Sequence, residues 1–141
     1  MPRIFLSFRM ADLPSRDALV RRLRGGPVEI SDYPVGDLYD PGWQTLCATM
    51  ILDAEGVIVL VGPTTAGSEP VRWEIAKANE LGKPIVAVRL GGRVHAFPAG
   101  LSTGRVLDWG PGERGLDRLG KELERWSPTV LPRAPYSETV I

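Results

Sequence analysis

The feature that most constrains the fold is a pair of continuous apolar runs separated by a helical pattern. The runs are "GVIVLVG" (Gly56–Gly62) and "KPIVAVRL" (Lys83–Leu90), and the segment between them repeats small apolar residues at helical spacing. A strand that is apolar at successive positions is typical of a parallel sheet covered by helices on both faces. The two runs therefore predict parallel strands joined by a crossover helix.

The rest of the chain continues this alternation. Further strands are predicted at Arg3–Phe8, Val28–Pro34 and Arg105–Trp109, and further helices from an N-cap at Ser15, from Pro41 and over Glu113–Trp126. The order β-α-β-α-β-α-β-β-α predicts an α/β, flavodoxin-like three-layer sandwich whose parallel five-stranded sheet has the order 2-1-3-4-5. We assign residues 1–126 to this domain and residues 127–141, with three prolines and no periodicity, to a Pro-rich C-terminal tail.

Composition excludes several classes of partner. Among 141 residues, Lys+Arg and Asp+Glu are both 17, so the formal charge is zero and neither a nucleic acid nor an acidic membrane surface is favoured. No apolar run approaches the roughly 18 residues that a spanning helix needs. With one cysteine, Cys47, and one histidine, His95, the chain predicts no internal disulfide and no metal site, and a cytoplasmic location is expected.

One carboxylate stands out on the helix between the two apolar runs. Glu74 interrupts a stripe formed by Val71, Ile75, Ala78 and Gly82. In a sheet of this order, ligands bind at the carboxyl ends of the strands, between strands one and three. Because the helix begins just after the loop at that point, Glu74 is expected to face the crevice near its rim. The competing interpretation is that Glu74 caps the helix or pairs with an arginine.

A single carboxylate is enough for some glycosidic cleavages. The chain lacks a P-loop, a GxGxxG fingerprint and a GxSxG elbow, so these chemistries are not favoured. Nicotinamide leaves the ribose of NAD+ as a neutral base and needs no proton. One carboxylate near the anomeric carbon then stabilises the cationic ribose. A lone glutamate is consistent with this chemistry and does not demand it.

At this point three segments carry a resemblance to a known family. "RIFLSFRMAD", "GVIVLVGPTT" and "VRWEIAKANELGKPIVAV" resemble a TIR domain, most closely the bacterial and archaeal TIR-like branch that supplies the signal-generating subunit of Thoeris anti-phage systems. The resemblance implies that Glu74 is the catalytic residue of NAD+ cleavage, giving ADP-ribose or a cyclic messenger. It also implies bacterial immune signalling, a homo-oligomer formed through TIR–TIR contacts and a downstream effector protein, with NAD+ as substrate and no prosthetic group.

The resemblance also suggests which residues line the nucleotide site. They are Ser7, Phe8, Arg9, Asp12, Trp43, Gly62, Thr64 and Ser68. Many relatives carry a tryptophan one turn before the glutamate, where this chain has Pro70, and Trp43 is the candidate replacement. Core packing of Phe8, a turn role for Asp12 and a small-core role for Cys47 are the competing interpretations.

Two further functions stay open. A TIR-like domain can act as a non-catalytic interaction or adaptor module. The glutamate followed by Ala-x-x-x-Gly-Lys-Pro also resembles nucleoside 2-deoxyribosyltransferases, which perform similar glycosyl chemistry. That family usually carries aspartates and a Gly-Thr just before the glutamate, which "GPTTAGSEPVRW" does not supply.

Overall fold

Five parallel strands form the central layer of the protein. The computed structural model describes residues 2–23, 28–32, 42–91, 96–101, 106–109 and 114–126, with the backbone alone at 114–117. The strands are β1 (Arg3–Ser7), β2 (Glu29–Ser31), β3 (Gly56–Val61), β4 (Ile85–Leu90) and β5 (Val106–Trp109). They pair in the order β2-β1-β3-β4-β5, and every pair is parallel. The predicted fold class and strand order are confirmed.

Helices cover both faces of this sheet. They are α1 (Leu13–Leu23), α2 (Trp43–Asp53), α3 (Glu69–Glu80) and α4 (Arg114–Arg125). The apolar side chains of α1 and α4 pack on one face, and those of α2 and α3 pack on the other. Within the described part of the chain, no helix is both long and apolar enough to cross a membrane.

The central strand β3 explains why the apolar runs are continuous. All six of its residues are buried, with Ile58 and Leu60 facing the α1 and α4 layer. Val57, Val59 and Val61 face the α2 and α3 layer. Each such side chain contributes about 1.5–3 kcal/mol when it leaves water, so β3 stabilises both layers at once.

Local signals fix both ends of α3, the helix that carries Glu74. The Ser68 hydroxyl accepts a hydrogen bond from the Val71 N–H at 3.3 Å and caps the first turn. Pro70 fits that turn because its missing N–H would be unpaired there in any case. Gly82 follows the C-cap with a φ of 71°, a conformation that favours glycine.

Several predicted boundaries move, including those of β1, α1 and β2. β1 ends at Ser7, because the Arg9 carbonyl accepts from the Asp12 N–H at 2.7 Å and opens a 3-10 turn. α1 begins at Leu13 and not after Ser15, because Pro14 is tolerated in the first turn. β2 keeps only three residues, all paired with β1. The predicted tail, residues 127–141, lies outside the described residues.

The amino end of β3 is closed by an aromatic ring. A Cβ added to Gly56 would lie 2.7 Å from the Trp126 indole, so only glycine leaves room for this ring. Trp126 is 7% exposed and packs with Leu119 and Leu123 of α4. The contact joins the last helix to the central strand.

Two glycine substitutions should therefore act in opposite directions. Gly56→Ala should destabilise the protein by about 1–3 kcal/mol, because the new methyl group overpacks against the ring. Gly120→Ala should stabilise it by about 0.5–1 kcal/mol, because Gly120 lies inside α4 with open space around it. Urea unfolding of both variants measures the difference, and equal midpoints would contradict the packing described for Gly56.

Candidate active site

Three elements meet at the carboxyl end of β1. Phe5 and Ser7 point toward the α2 and α3 layer, because alternate residues of a strand share a face. Ser7 is the last residue of β1 and pairs in register with Val59 of β3. This position is the switch point of the sheet, since β2 and β3 flank β1 on opposite sides.

Glu74 reaches this point from α3. The Ser7 hydroxyl donates to Glu74 Oε1 at 2.6 Å, and the Cys47 thiol of α2 donates to Oε2 at 3.5 Å. Glu74 is 2% exposed and lies beneath the surface. The sequence analysis expects it near the rim of the crevice, so it is buried more deeply than expected. The reason is the packing of α2 on α3, which puts Cys47 and Ile51 in one buried cluster with Val71 and Ile75. Among the described residues, no lysine or arginine forms an ion pair with Glu74.

The surroundings favour the protonated form of this acid. Burial in an apolar layer raises the pKa of Glu74 from 4.5 to about 7, and the nearby charge of Asp32 adds to the rise. The hydrogen bonds from Ser7 and Cys47 act in the opposite direction. Burial, and then the carboxylate itself, raise the pKa of the Cys47 thiol, so Cys47 stays a neutral donor at ordinary pH.

An arginine bridges the two loops at the switch point. Arg9 follows β1, and its Nη1 donates to the Thr64 carbonyl oxygen at 3.1 Å in the loop after β3. Both residues are exposed. An exposed guanidinium at the carboxyl edge of the sheet is suited to bind phosphate oxygens. The structure thus brings together two of the residues suggested from the sequence.

A buried polar cluster fixes the same loops beneath the surface. The Gly62 N–H donates to Thr65 Oγ1 at 2.8 Å, and this oxygen lies 3.3 Å from both Asp12 Oδ2 and the Leu60 carbonyl. A Cβ on Gly62 would lie 2.5 Å from Asp12 Oδ1. Asp12 is 8% exposed and Thr65 is fully buried. Asp12 and Gly62 therefore shape the loops that form the site.

Phe8 lies away from Glu74. It is 3% exposed and belongs to the layer formed with α1 and α4, on the opposite face of the sheet. The Arg16 guanidinium lies 5.9 Å from the centre of its ring, and Arg16 Nε donates to Asp32 Oδ2 at 2.6 Å. This placement agrees with the competing interpretation, in which Phe8 is a core residue. The Ser68 hydroxyl likewise has a structural role, because it accepts the hydrogen bond that caps α3.

Two tryptophans lie next to Glu74 and Cys47. Trp43 begins α2 one turn before Cys47, and Trp73 precedes Glu74 on α3. Their rings meet edge to face with centroids 5.2 Å apart. Both are half-buried and pack against the α2 and α3 layer. Trp43 thus lies at the start of α2, in contact with the residue that precedes Glu74.

An open cleft of about 340 Å³ lies elsewhere on the carboxyl edge. It is lined by Pro14, Ser15, Ala18, Leu90, Gly91 and Trp109. None of the residues suggested from the sequence lines it. The polar convergence at Glu74, and not this cleft, therefore defines the candidate site.

Sequence reasoning missed the thiol that contacts Glu74. Cys47 was interpreted as a small core residue, and its burial agrees with that, but its Sγ also faces Oε2. The signal that could have found it is the four-residue spacing from Trp43, which puts both on one face of α2. Sequence reasoning also missed Thr65 and Asp32, whose side-chain partners Asp12 and Arg16 are 53 and 16 positions away in the chain.

Comparison with known proteins agrees with this architecture. Residues 44–95 match the family model of the TIR-like domain of the Thoeris protein ThsB, a segment that includes Cys47 and Glu74. This segment of the chain is similar to a TIR-like domain. The resemblance seen in the sequence is thereby confirmed. No match was found among curated protein sequences.

Three solved structures share the fold of this chain. A prokaryotic SEFIR domain is 17% identical, with a TM-score of 0.58 over 93% of this chain and 96% of that one. The Clostridium botulinum CMP N-glycosidase BcmB is 18% identical, with a TM-score of 0.58 over 84% and 98%. The TIR domains of the activated Roq1 resistosome, which recognises the effector XopQ, are 16% identical, with a TM-score of 0.53 over 66% and 60%.

The buried acid should make stability depend on pH. Because the pKa of Glu74 is about 7 in the folded protein against an ordinary 4.5, the folded state holds its proton longer than the unfolded state. Stability contributed by this group should therefore fall as pH rises from about 5 to about 7. Glu74→Gln should remove this fall. Its free energy of unfolding, relative to that of wild type, should increase by about 3 kcal/mol between pH 5 and pH 8.

Urea unfolding at several pH values measures this difference. Glu80→Gln, on the exposed side of the same helix, is the matched control and should not reproduce the burial-driven gain. Parallel pH profiles of wild type and Glu74→Gln would contradict the environment described for Glu74.

Proposed function

We propose that this TIR-like domain cleaves the bond between nicotinamide and ribose in NAD+, with Glu74 as the catalytic residue. The observation that carries the proposal is a buried carboxyl at the switch point of the sheet, held by neutral donors. A buried carboxylate without a cation costs stability. A buried carboxylate that stabilises a developing positive charge in the reaction would explain why the protein keeps this destabilising group.

The chemistry assigned to Glu74 is electrostatic. Nicotinamide departs as a neutral base and leaves an oxocarbenium-like ribose, which the ionised carboxylate stabilises. Water or a hydroxyl of the same nucleotide then attacks the anomeric carbon, giving ADP-ribose or a cyclic product. Arg9 would hold phosphate oxygens at the mouth of the crevice, and Trp43 would offer an aromatic surface on the side of α2.

Access to Glu74 is part of the proposal. At 2% exposure the carboxyl has no surface for a ribose ring to contact, so catalysis requires α2 and α3 to open at the rim. Self-association of TIR-like domains is the expected source of that change. Activity should therefore rise more steeply than in proportion to protein concentration. The effector partner, the role in anti-phage signalling and the cytoplasmic location predicted from the sequence belong to this proposal.

Substitution of the acid tests the reaction directly. Wild type at high concentration with a crowding agent should release nicotinamide from NAD+, and Glu74→Gln should release it on the order of 10²–10³-fold more slowly. Mass analysis of all products separates ADP-ribose from a cyclic messenger. Glu80→Gln should retain wild-type activity, because it lies on the exposed side of α3.

Parallel substrates separate this proposal from its alternatives. Equal background release by wild type and Glu74→Gln would favour the interaction module. Base exchange between a deoxynucleoside and free adenine would favour a nucleoside 2-deoxyribosyltransferase. The fold shared with a CMP N-glycosidase makes CMP the third substrate to include. Cleavage of CMP without cleavage of NAD+ would overturn the proposed substrate.

The rate should follow the ionised fraction of the acid. Because the carboxylate is the active form and the pKa of Glu74 is about 7, nicotinamide release should fall about tenfold for each pH unit below 7. It should level off above pH 8. Initial rates from pH 5 to pH 9 measure the profile, and a rate independent of pH below 7 would contradict this role.

A further inference from the structure

Both oxygens of Glu74 are held, and each by a different element. Ser7 on β1 holds Oε1 at 2.6 Å, and Cys47 on α2 approaches Oε2 at 3.5 Å. The terminal torsion of a glutamate is broad, so one hydrogen bond alone leaves the carboxyl plane free to rotate. A second donor from an independent direction removes that freedom.

We propose that Cys47 is a positioning residue, whose thiol sets the orientation of the Glu74 carboxyl plane toward the substrate. The inference rests on the proposed function and deepens it. Ser7 and Cys47 are 67 and 27 positions from Glu74, so the arrangement exists only in the folded domain. A thiol is a weak donor. It therefore orients the acid without the strong stabilisation of the anion that a hydroxyl would add.

The alternative is that Cys47 merely fills space. It is fully buried among apolar side chains such as Ile51 and Val71, and a cysteine often serves as a small core residue. A space-filling role predicts that removal of the thiol lowers stability and leaves the titration of Glu74 unchanged. A positioning role predicts that the titration changes even where the volume is retained.

The groups facing the acid make this titration interpretable. Ser7 from β1 is neutral, and Cys47 from α2 stays protonated because burial raises its pKa. Asp32, after β2, raises the pKa of Glu74 and is itself paired with Arg16 at 2.6 Å. On β3 and β4 the apolar residues of this layer are Val57, Val59, Val61, Ile85 and Ala87. Arg89, which follows Ala87 on the same face of β4, is paired with Asp108 at 2.6 Å. The hydrogen bond from Cys47 lowers the pKa of Glu74, so its loss should raise it.

The position of the thiol depends on how α2 sits on α3. Trp43, one turn before Cys47, and Trp73, directly before Glu74, hold the two helices together through their edge-to-face contact. Lys77 lies over the Trp73 ring, with its Nζ 5.6 Å from the ring centroid. This contact keeps donor and acceptor at a fixed separation.

Three variants of the full chain separate donor from volume. Cys47→Val fills the space without a donor, Cys47→Ala leaves a small void, and Cys47→Ser restores a stronger donor. Carboxyl ¹³C NMR titration gives the pKa of Glu74 directly, with Glu74→Gln to assign the resonance. We expect the pKa to rise in the Val and Ala variants and to fall in the Ser variant. Urea unfolding checks that each variant is folded.

The enzymatic arm uses the same three proteins. Nicotinamide release at pH 8 should drop about tenfold in kcat, with little change in KM, in the Val and Ala variants. The Ser variant should recover most of the rate, and its pH profile should shift to lower pH. Should one substitution prevent folding, the other two still give the comparison.

The two proposals fail in distinguishable ways. A Glu74 pKa that is identical in wild type, Cys47→Val and Cys47→Ser would overturn the positioning role, whatever the activity. Unchanged kcat in Cys47→Val would overturn it as well. A third outcome is that the Cys47 variants shift the pKa of Glu74 but the wild-type protein does not release nicotinamide. That outcome would overturn the proposed substrate and would still support the contact by which Cys47 orients Glu74.

Discussion

The burial of one carboxyl among apolar side chains is the constraint on which the rest of the structure depends. Glu74 lies in a layer where its near neighbours are valines, isoleucine and alanine, and the donors that reach it from the described residues are neutral. Such a group is tolerated because it can keep its proton at neutral pH. The ionisation of Glu74 near neutral pH therefore responds to small changes in its surroundings. Catalytic acids and bases need this property.

The loops above this acid are built for rigidity. Asp12, Gly62 and Thr65 are fixed by buried contacts, and Arg9 spans the gap on the surface. Short, internally bonded loops at the end of a parallel sheet hold side chains in place better than long free ones. The scaffold is therefore fixed on the side of β1 and β3, so movement that exposes the acid has to come from α2 and α3.

Much of the fold could be predicted because its signals are local. Continuous apolar runs mark β3 and β4, and Pro70 and Gly82 mark the ends of α3. The stripe that contains Glu74 also predicts which face of α3 is buried. The depth of Glu74 and its contact with Cys47 could not be predicted, since they depend on how two helices dock. Phe8 is a different case, because strand alternation already puts it on the face opposite Ser7.

The ring of Trp126 has a consequence for where an independent folding unit can end. Trp126, directly after α4, packs against Gly56, the first residue of the central strand β3. A fragment that stops inside α4 would leave β3 with an open apolar end and the neighbouring leucines in water. A fragment that folds on its own is therefore expected to extend at least through position 126. The amino end of the sheet is closed by this ring, and the candidate site lies at the opposite, carboxyl end.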